Sequence, residues 1–296
     1  MNNMTNLDGK LLSNKIIDNI RTELEEGNCR RKPKLAILTV GSDPASEVYV
    51  RNKVKACERA GMLSEHIKID DGPNWLPTLS DYIRQYNTDD STDGIIVQLP
   101  LPDPTVTNYV VDLIDPIKDV DGFGVSNMGR LAQNSTQFHH VPATVAGIVS
   151  LINEYNIETE GKNVVVLGRS NIVGRPLSIL LSQPPYNANV TVLHSKSDLT
   201  YGLTKELVQN ADILVSATGN EDVVWFPLYS KVLIDVGIHR SESGKLYGDV
   251  REQFTTCVDM KTPVPGGVGP MTVASLIENT YNAFVHRERK VDITNW

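Results

Sequence analysis

Residues 162–181, KNVVVLGRSNIVGRPLSILL, decide the fold of the second half of this chain. The run at residues 164–167 is short, unbroken and apolar, which is typical of a strand buried on both faces of a parallel sheet. Gly168 and Gly174 bracket a turn, and leucines at helical spacing follow it. This order aims backbone N–H groups and the positive helix end at one point, which favours a pyrophosphate. Ser170 replaces the second glycine of the dinucleotide fingerprint, so the stretch alone is a weak indication.

Composition sets the broad class of the protein. The 296 residues suffice for one large or two medium domains, and 40% hydrophobic with 22% charged residues is ordinary for a globular chain. The net charge of −8 argues against a nucleic-acid partner. Three cysteines without a CxxC pair predict a reducing compartment and no structural zinc. No segment resembles a signal core or a membrane span, so we expect a cytoplasmic protein without a membrane partner.

Strands and helices alternate along the chain, which predicts two α/β units with parallel sheets and right-handed crossovers. The first unit is predicted to contain helices at 11–26, 44–60, 79–86 and 106–114, and strands at 34–40, around Ile67 and Ile69, and at 94–99, followed by loop to Val141. A bridging helix is predicted from Thr144 to about Tyr155. The second, Rossmann-like unit is predicted to contain strands at 163–167, 189–193, 212–216 and 231–236, and helices at 175–182 and 203–210. A C-terminal helix is predicted from Thr272 to about Arg287.

Polar side chains at the predicted strand ends of the first unit are candidates for chemistry. Tyr49 and Lys53 are four residues apart and share one helix face, which suits a flat polar ring beside a proton-handling amine. A surface lysine beside a half-buried tyrosine is the plainer interpretation. Gln98 ends an apolar strand, where it serves either a ligand or a structural hydrogen bond. Asp119 and Asp121 are compatible with a turn, and a solvated turn is the default interpretation for both.

The segment PVPGGVGPMT, residues 263–272, combines stiff prolines with permissive glycines, so its backbone can approach a ligand closely or merely connect two elements. For a nucleotide, the strand after the glycine turn ends at Leu193 and is followed by His194 and Ser195. An NAD site of the usual Rossmann kind has an acid there to bind the ribose 2′-hydroxyl. The missing acid and the nearby cation Arg169 favour NADP over NAD.

Seven segments, in order, resemble the bifunctional methylenetetrahydrofolate dehydrogenase/methenyltetrahydrofolate cyclohydrolase family: SEVYVRNKVKACERAGM, DGIIVQLPLP, IKDVDGF, VVVLGRSNIVGRP, ADILVSATG, LIDVGI and TPVPGGVGPMT. The resemblance implies a folate-binding catalytic domain at 1–147, on which the C-terminal helix 272–296 packs back, and a Rossmann-like NADP domain at 148–271. It also implies a cytoplasmic homodimer, formed through the Rossmann half, that serves one-carbon metabolism and purine biosynthesis.

The resemblance assigns roles by position. Tyr49 stacks on the pterin, Lys53 is the central catalytic group, Gln98 holds and tunes that lysine, and Asp121 binds the polar pterin edge. The implied folate-binding set is Tyr49, Val50, Arg51, Asn52, Lys53, Val97, Gln98, Leu99, Pro100, Pro102, Asp121, Pro265, Gly266, Gly267, Val268 and Gly269. The implied dinucleotide-binding set is Thr144, Gly168, Arg169, Ser170, Ser195 and Ile238.

Three features depart from the family pattern. The P-C-T-P that often precedes the bridging helix is residues 142–145, PATV, here. Arg175 adds a second cation near the expected phosphates, and His139–His140 has no counterpart in the pattern; a neighbouring pair alone does not predict a metal site. The expected reaction is NADP-dependent oxidation of methylenetetrahydrofolate and hydrolysis of the methenyl product. The alternatives are a dehydrogenase without cyclohydrolase activity, a silent NADP- or folate-binding module, and a dehydrogenase for a non-folate acid.

Overall fold

The computed structural model describes residues 4–27, 29–199, 202–241 and 243–294, with side chains described at all of these except 44, 45 and 289–294. The helices in the described chain are α1 (Gly9–Glu26), α2 (Pro44–Arg59), α3 (Trp75–Thr88), α4 (Thr107–Asp112), α5 (Val125–Ala132), α6 (Ala143–Glu154), α7 (Gly174–Leu181), α8 (Leu203–Gln209) and α9 (Val268–Thr294). The strands are β1 (Thr5–Asn6), β2 (Lys34–Val40), β3 (Leu63–Ile69), β4 (Gly94–Val97), β5 (Asn163–Leu167), β6 (Asn189–Leu193), β7 (Ile213–Ser216), β8 (Val232–Asp235), β9 (His239–Arg240), β10 (Leu246–Tyr247) and β11 (Met260–Lys261).

The chain divides into two compact units. The first, which we call the three-stranded unit, comprises Asn14–Ala143 and Val273–Trp296. Its described sheet has the order β3-β2-β4, and both strand pairs are parallel. Side chains alternate across β2: Leu35 and Ile37 enter the core that contains α1, α2 and α9 residues, whereas Ala36 and Leu38 enter the core that contains α3. The unbroken apolar pattern therefore reflects burial on both faces.

The second unit, the six-stranded unit, comprises Met1–Ser13 and Thr144–Thr272. Its described sheet has the order β1-β11-β8-β7-β5-β6, and each strand pair in it is parallel. The hairpin β9–β10 is antiparallel and separate from this sheet. In β5 the residues after Asn163 are all buried, as the apolar run predicts. A glycine turn and α7 follow β5 in the order that the sequence predicts.

The unit boundaries differ from the predicted domain boundaries at the N-terminal end and near the bridging helix. The resemblance implies one domain over 1–147, yet the described residues 4–13 group with the six-stranded unit because Thr5 of β1 pairs with Met260 of β11. The second boundary falls between residues 143 and 144, after the first residue of α6. A two-residue strand has no periodicity, and its pairing partner lies more than two hundred residues away along the chain, so sequence patterns could not reveal it.

Two local predictions also changed. The predicted loop up to Val141 contains α5, whose buried side chains are Asn127 and Leu131, so its apolar stripe was too thin to recognise. The strand predicted to reach residue 99 ends at Val97, before a cis peptide bond between Leu99 and Pro100. Otherwise the predicted fold class, two α/β units with parallel sheets, is confirmed. Within the described residues, no helix combines the length and apolar character needed to cross a membrane.

Candidate active site

Lys53 and Gln98 form a contact in the three-stranded unit. The helix α2 starts after Asp43, whose carboxylate accepts a hydrogen bond from the Ser46 N–H at 2.8 Å. This start places Lys53 one turn after Tyr49, with the lysine 9% exposed and the tyrosine 44% exposed. The Lys53 Nζ donates to Gln98 Oε1 at 3.0 Å. The lysine predicted to be either catalytic or superficial is therefore buried and held by the predicted amide.

The orientation of the Gln98 amide is fixed from its other side. The Gln98 backbone N–H donates to the Leu38 carbonyl at 2.8 Å, which continues the parallel ladder beyond β4. The Gln98 Nε2 donates to the Leu99 carbonyl at 3.0 Å. With its amino group committed in this way, the side chain presents its carbonyl oxygen to Lys53. An amide in this position accepts from the lysine without adding a formal charge.

The electrostatics of the site favour neutral forms of two groups. Burial lowers the pKa of Lys53, and the attraction of Asp121 opposes that shift. Burial raises the pKa of Asp121, and Lys53 opposes that shift. Desolvation is the larger cause for both groups, because it penalises each charge more than the partner compensates. A lysine with a lowered pKa is suited to accept a proton near neutral pH.

The loop that carries Asp121 is anchored by a neighbouring carboxylate. Asp119 is 2% exposed and accepts hydrogen bonds from the Gly122 N–H at 3.1 Å, the Gly124 N–H at 2.9 Å and Asn127 Nδ2 at 2.9 Å. Burial raises the pKa of Asp119 to about 6. Of the two aspartates in this loop, Asp119 thus has a structural role, whereas Asp121 remains the candidate for chemistry.

More distant residues hold the same loop. Asn279 of α9 donates to the Val120 carbonyl at 2.9 Å and to the Val141 carbonyl at 3.0 Å. His140 Nε2 lies 2.7 Å from the Ile117 carbonyl, which can only accept, so this nitrogen carries the hydrogen. Burial lowers the pKa of His140 to about 4, so this histidine is a neutral structural donor. In the described part of the chain, no group of three or more His, Cys, Asp or Glu side chains could hold a metal ion.

A cavity of about 290 Å³ lies at the carboxyl ends of β5, β6 and β7 in the six-stranded unit. The dinucleotide-site candidates Gly168, Arg169, Ser170 and Ser195 line it, together with His194, Ala217 and Thr218. The strand ends of an open parallel sheet converge on one edge, which is where ligands bind in such folds. The structure therefore brings four of the six predicted dinucleotide-binding residues to one cavity.

Two glycines of the turn are required by close backbone contacts. Gly168 has a φ of +114°, and a Cβ there would lie 2.3 Å from the Ala217 carbonyl oxygen. A Cβ on Gly174 would lie 2.2 Å from the Gly168 carbonyl oxygen. Ser170, at the second glycine position of the fingerprint, is exposed, and its hydroxyl accepts from the Val173 N–H at 3.2 Å. The turn thus keeps the close approach of a dinucleotide fingerprint although one glycine is replaced.

The other two dinucleotide candidates do not line this cavity. Ile238 is 43% exposed and lies after β8. The hydroxyl of Thr144 accepts from Thr272 Oγ1 at 3.2 Å, so it has a structural partner in the same unit. Their proposed contacts with a nucleotide remain predictions.

The glycine-rich loop at residues 263–270 belongs to the six-stranded unit, whereas the other predicted folate-binding residues belong to the three-stranded unit. The start of α1 packs against this loop: the Lys10 N–H donates to the Gly266 carbonyl at 2.8 Å, and a Cβ on Gly9 would collide with the Gly267 carbonyl oxygen. Sequence analysis missed this support, although a glycine at the start of an otherwise good helix is a usable signal. Of the remaining folate candidates, Val50, Val97 and Val268 are buried, and Arg51, Asn52, Pro100 and Pro102 are exposed.

The fold and these sites define a two-domain α/β enzyme with a dinucleotide-binding unit. Residues 7–121 match the catalytic-domain model of the tetrahydrofolate dehydrogenase/cyclohydrolase family, and residues 142–288 match its NAD(P)-binding-domain model. The chain belongs to the tetrahydrofolate dehydrogenase/cyclohydrolase family. The predicted family, the enzyme class and the NAD(P) cofactor class are confirmed.

Relatives of known name agree over nearly the whole chain. The bifunctional protein FolD of Hydrogenobaculum sp. is 43% identical over 290 residues, which cover 96% of this chain and 100% of the relative. The crystal structure of the bifunctional FolD dehydrogenase/cyclohydrolase of Campylobacter jejuni is 38% identical, with a TM-score of 0.87 and coverage of 96% and 100%. The Trypanosoma brucei dehydrogenase-cyclohydrolase, solved with NADP and an inhibitor, is 31% identical, with a TM-score of 0.88 and coverage of 98% and 100%. The predicted class of function, bifunctional dehydrogenase and cyclohydrolase, is confirmed.

Proposed function

We propose that this chain oxidises 5,10-methylenetetrahydrofolate to 5,10-methenyltetrahydrofolate with NADP, and hydrolyses the product to 10-formyltetrahydrofolate. The observation that carries the proposal is the buried amino group of Lys53, whose Nζ lies 3.0 Å from Gln98 Oε1. A purely superficial lysine would lie in water with its ordinary pKa. Burial lowers the pKa of this one, which is what a proton-accepting role in the hydrolytic step requires.

The residues of the six-stranded unit fit a dinucleotide. Bound NADP supplies the hydride acceptor of the first step. Gly168 and Gly174 allow backbone carbonyl groups to pack where a Cβ would lie, and this permits the tight turn whose residues Gly168, Arg169 and Ser170 line the cavity. The backbone N–H groups of such a turn suit a pyrophosphate. Arg169 and Ser195 line the same cavity and are exposed, so both are available to a ribose 2′-phosphate. The role of the chain in this step is to orient the folate methylene carbon toward the nicotinamide.

The hydrolytic step needs one proton acceptor and one proton donor. The neutral amine of Lys53 takes a proton from a water molecule as its oxygen bonds to the methenyl carbon of the cationic substrate. The bond from that carbon to N5 then breaks, and the Lys53 ammonium returns a proton to N5. As that bond breaks, the hydroxyl on the carbon loses its remaining proton to solvent and becomes the formyl carbonyl, so the net reaction releases one proton. Gln98 keeps the lysine oriented through both transfers, because its carbonyl oxygen accepts from the neutral and the charged amine alike.

The remaining assignments belong to the same proposal. Tyr49, 44% exposed one turn before Lys53, offers a ring face to the pterin, and Asp121 offers a carboxyl group to its polar edge. We also propose a cytoplasmic homodimer formed through the six-stranded unit. In support, β6 is the last strand of the described sheet, so its outer backbone edge has no strand partner among the described residues.

A spectrophotometric assay tests the proposal. Purified protein is incubated with methylenetetrahydrofolate and either NADP or NAD, and hydrolysis of methenyltetrahydrofolate is followed in a separate reaction without nucleotide. We expect reduction of NADP in clear preference to NAD, and hydrolysis above the spontaneous rate. Nucleotide reduction without hydrolysis would identify a dehydrogenase alone, and neither reaction would identify a silent binding module.

A further inference from the structure

Two buried carboxylates lie beside the nucleotide cavity, and the proposed mechanism does not use them. Asp249 is 0% exposed and accepts three hydrogen bonds on Oδ2: from Ser216 Oγ at 3.0 Å, and from the Thr218 N–H and Thr218 Oγ1 at 2.9 Å each. Its Oδ1 lies 2.8 Å from His239 Nε2. A carboxylate can only accept, so Nε2 carries the hydrogen. Asp249 thus joins the end of β7 to the segment after β8.

Asp235, at the end of β8, completes the cluster. Its carboxylate accepts from the Gly237 N–H at 3.1 Å, the Asp249 N–H at 3.0 Å and the Val250 N–H at 2.9 Å. Burial raises the pKa of Asp235 to about 6, and the neighbouring Asp249 charge contributes to that rise. The two carboxylates therefore hold groups from three separate segments. Asp249 holds the hydroxyl and N–H groups of residues 216–218, and Asp235 holds the N–H groups of Gly237, Asp249 and Val250.

The backbone around the cluster is shaped to admit these carboxylates. A Cβ on Gly237 would lie 1.9 Å from Asp249 Oδ1, and a Cβ on Gly248 would lie 2.0 Å from Asp235 Oδ2. Real Cβ atoms do not approach other atoms so closely. Both positions therefore require glycine. Gly237 makes room for the Asp249 carboxylate, and Gly248 makes room for the Asp235 carboxylate.

The segments that the cluster holds reach the proposed nucleotide site. Thr218 and its neighbour Ala217 line the 290 Å³ cavity, and the Ala217 carbonyl oxygen occupies the space beside Gly168 where a Cβ would lie. Ile238, the dinucleotide candidate outside that cavity, stands between Gly237 and His239, each of which is bonded to one of the two carboxylates. One cluster thus fixes both a wall of the cavity and the backbone that carries Ile238.

We infer that Asp249 and His239, supported by Asp235, are positioning residues for the nucleotide: they align the wall at residues 217–218 and the segment of Ile238. The inference rests on the proposed function, in which this cavity binds NADP. Direct contact of Asp249 with the phosphates would be unfavourable, since both are anionic and the carboxylate is fully buried. Its effect on binding is therefore indirect and acts through Thr218 and His239.

The test compares His239→Ala with the conservative His239→Gln, whose amide nitrogen lies near the position of the histidine Nε2 and restores a donor toward Asp249. The probe is NADP itself, with the dissociation constant measured by titration and the KM for NADP measured in the dehydrogenase assay. We expect His239→Ala to raise both constants about 2- to 12-fold, the range for one lost hydrogen bond, and His239→Gln to recover most of the loss. We expect Asp249→Asn to weaken NADP at least as much, since it sets an amide N–H against the His239 donor.

Hydrolysis of methenyltetrahydrofolate, which uses no nucleotide, reports separately on the fold. We expect unchanged hydrolysis and a nearly unchanged kcat at saturating NADP in the His239 variants. Asp212→Asn is the matched control, because Asp212 accepts from the Asn163 N–H at the opposite end of the same sheet, and it should leave the NADP constants unchanged. Unaltered NADP binding in both His239→Ala and Asp249→Asn would overturn the inference, as would an equal loss of hydrolysis and binding together with a lower melting temperature. A wild-type protein that does not bind NADP would instead overturn the proposed function.

Discussion

The candidate sites of the two units differ in the solvent exposure of their functional side chains. In the three-stranded unit, the central group, Lys53, is buried and its pKa is lowered by burial. In the six-stranded unit, Arg169, Ser170 and Ser195 are exposed around a glycine turn. Proton transfer near neutral pH requires a perturbed pKa, which desolvation supplies. Recognition of a phosphate requires groups that keep their charge and their hydrogen-bond donors, which exposure preserves.

The two units are alike in how they fix the loops beside these sites. Asp119 binds the N–H groups of Gly122 and Gly124 in the loop of Asp121. Asp235 accepts hydrogen bonds from the N–H group of Gly237, which directly precedes Ile238, and from the N–H group of Asp249. In both units a buried carboxylate accepts hydrogen bonds from backbone N–H groups of a loop that lie outside the regular ladder, because unpaired N–H groups are costly in the interior. The functional side chains of the two units differ, but in both units a buried aspartate fixes the adjacent loop through hydrogen bonds from its backbone N–H groups.

The largest expected effect is the loss of the buried amine. Lys53→Met keeps the stem and removes the proton acceptor, so we expect hydrolysis of methenyltetrahydrofolate to fall by about 10²–10⁴-fold, with a smaller fall in NADP reduction. The two rates are measured in separate assays. Lys55→Met, two residues on at an exposed position of the same helix, is the control and should retain both activities. Hydrolysis at the wild-type rate in Lys53→Met would show that the buried amine is not the proton acceptor of the hydrolytic step.

The next effect concerns the exposed cation of the six-stranded unit. Arg169→Ala should weaken NADP by about 10- to 150-fold, the range for a lost charge-assisted hydrogen bond, and NAD much less. Affinities are measured by titration with each nucleotide. Arg84→Ala is the matched control, because Arg84 is exposed on α3 of the three-stranded unit and its Nη1 donates to Asp81. An equal loss of NADP and NAD affinity would show that Arg169 binds the pyrophosphate or supports the turn.

The pH profile should also separate the two sites. The neutral fraction of Lys53 increases about tenfold per pH unit below its pKa, so the hydrolytic rate should rise with pH and level off below the ordinary lysine value of 10.5. The direction follows from burial, which lowers the pKa and outweighs Asp121. Binding of NADP, followed over the same range, should not show this rise. A hydrolytic rate that is flat with pH, or that levels off only near 10.5, would contradict a buried base.

The smallest expected effect is at the exposed ring of the three-stranded unit. Tyr49→Ala should raise the KM for the folate by about 2- to 12-fold, the range for one aromatic stacking contact. Tyr49→Phe keeps the ring and should remain close to wild type. Steady-state kinetics at saturating NADP distinguish the two variants. If Tyr49→Phe were as impaired as Tyr49→Ala, the hydroxyl rather than the ring face would be the functional group.

The sequence alone determined the elements whose signal is local. Apolar runs predicted β2 and β5 with their observed bounds, since strands buried on both faces are apolar at nearly every position. The bounds of the edge strand β6, which is only partly buried, were also predicted from its β-branched residues. The glycine turn after β5 and the four-residue spacing of Tyr49 and Lys53 are likewise local, and they predicted where a nucleotide and a proton-handling group belong. The short elements β1, β11 and α5 carried too little pattern to be recognised.

Only the tertiary structure decided which polar residues support the sites. Lys53 and Gln98 are 45 residues apart, Ser216 and Asp249 are 33 apart, and Asn279 and Val120 are 159 apart. The residue types alone do not distinguish Asp119 or Asp249 from the aspartates of a solvated turn. Their hydrogen-bond partners come from other segments of the chain, and their burial depends on how those segments pack. A pattern within one segment records the periodicity of that segment, whereas a desolvated charge and its partners exist only once distant segments meet.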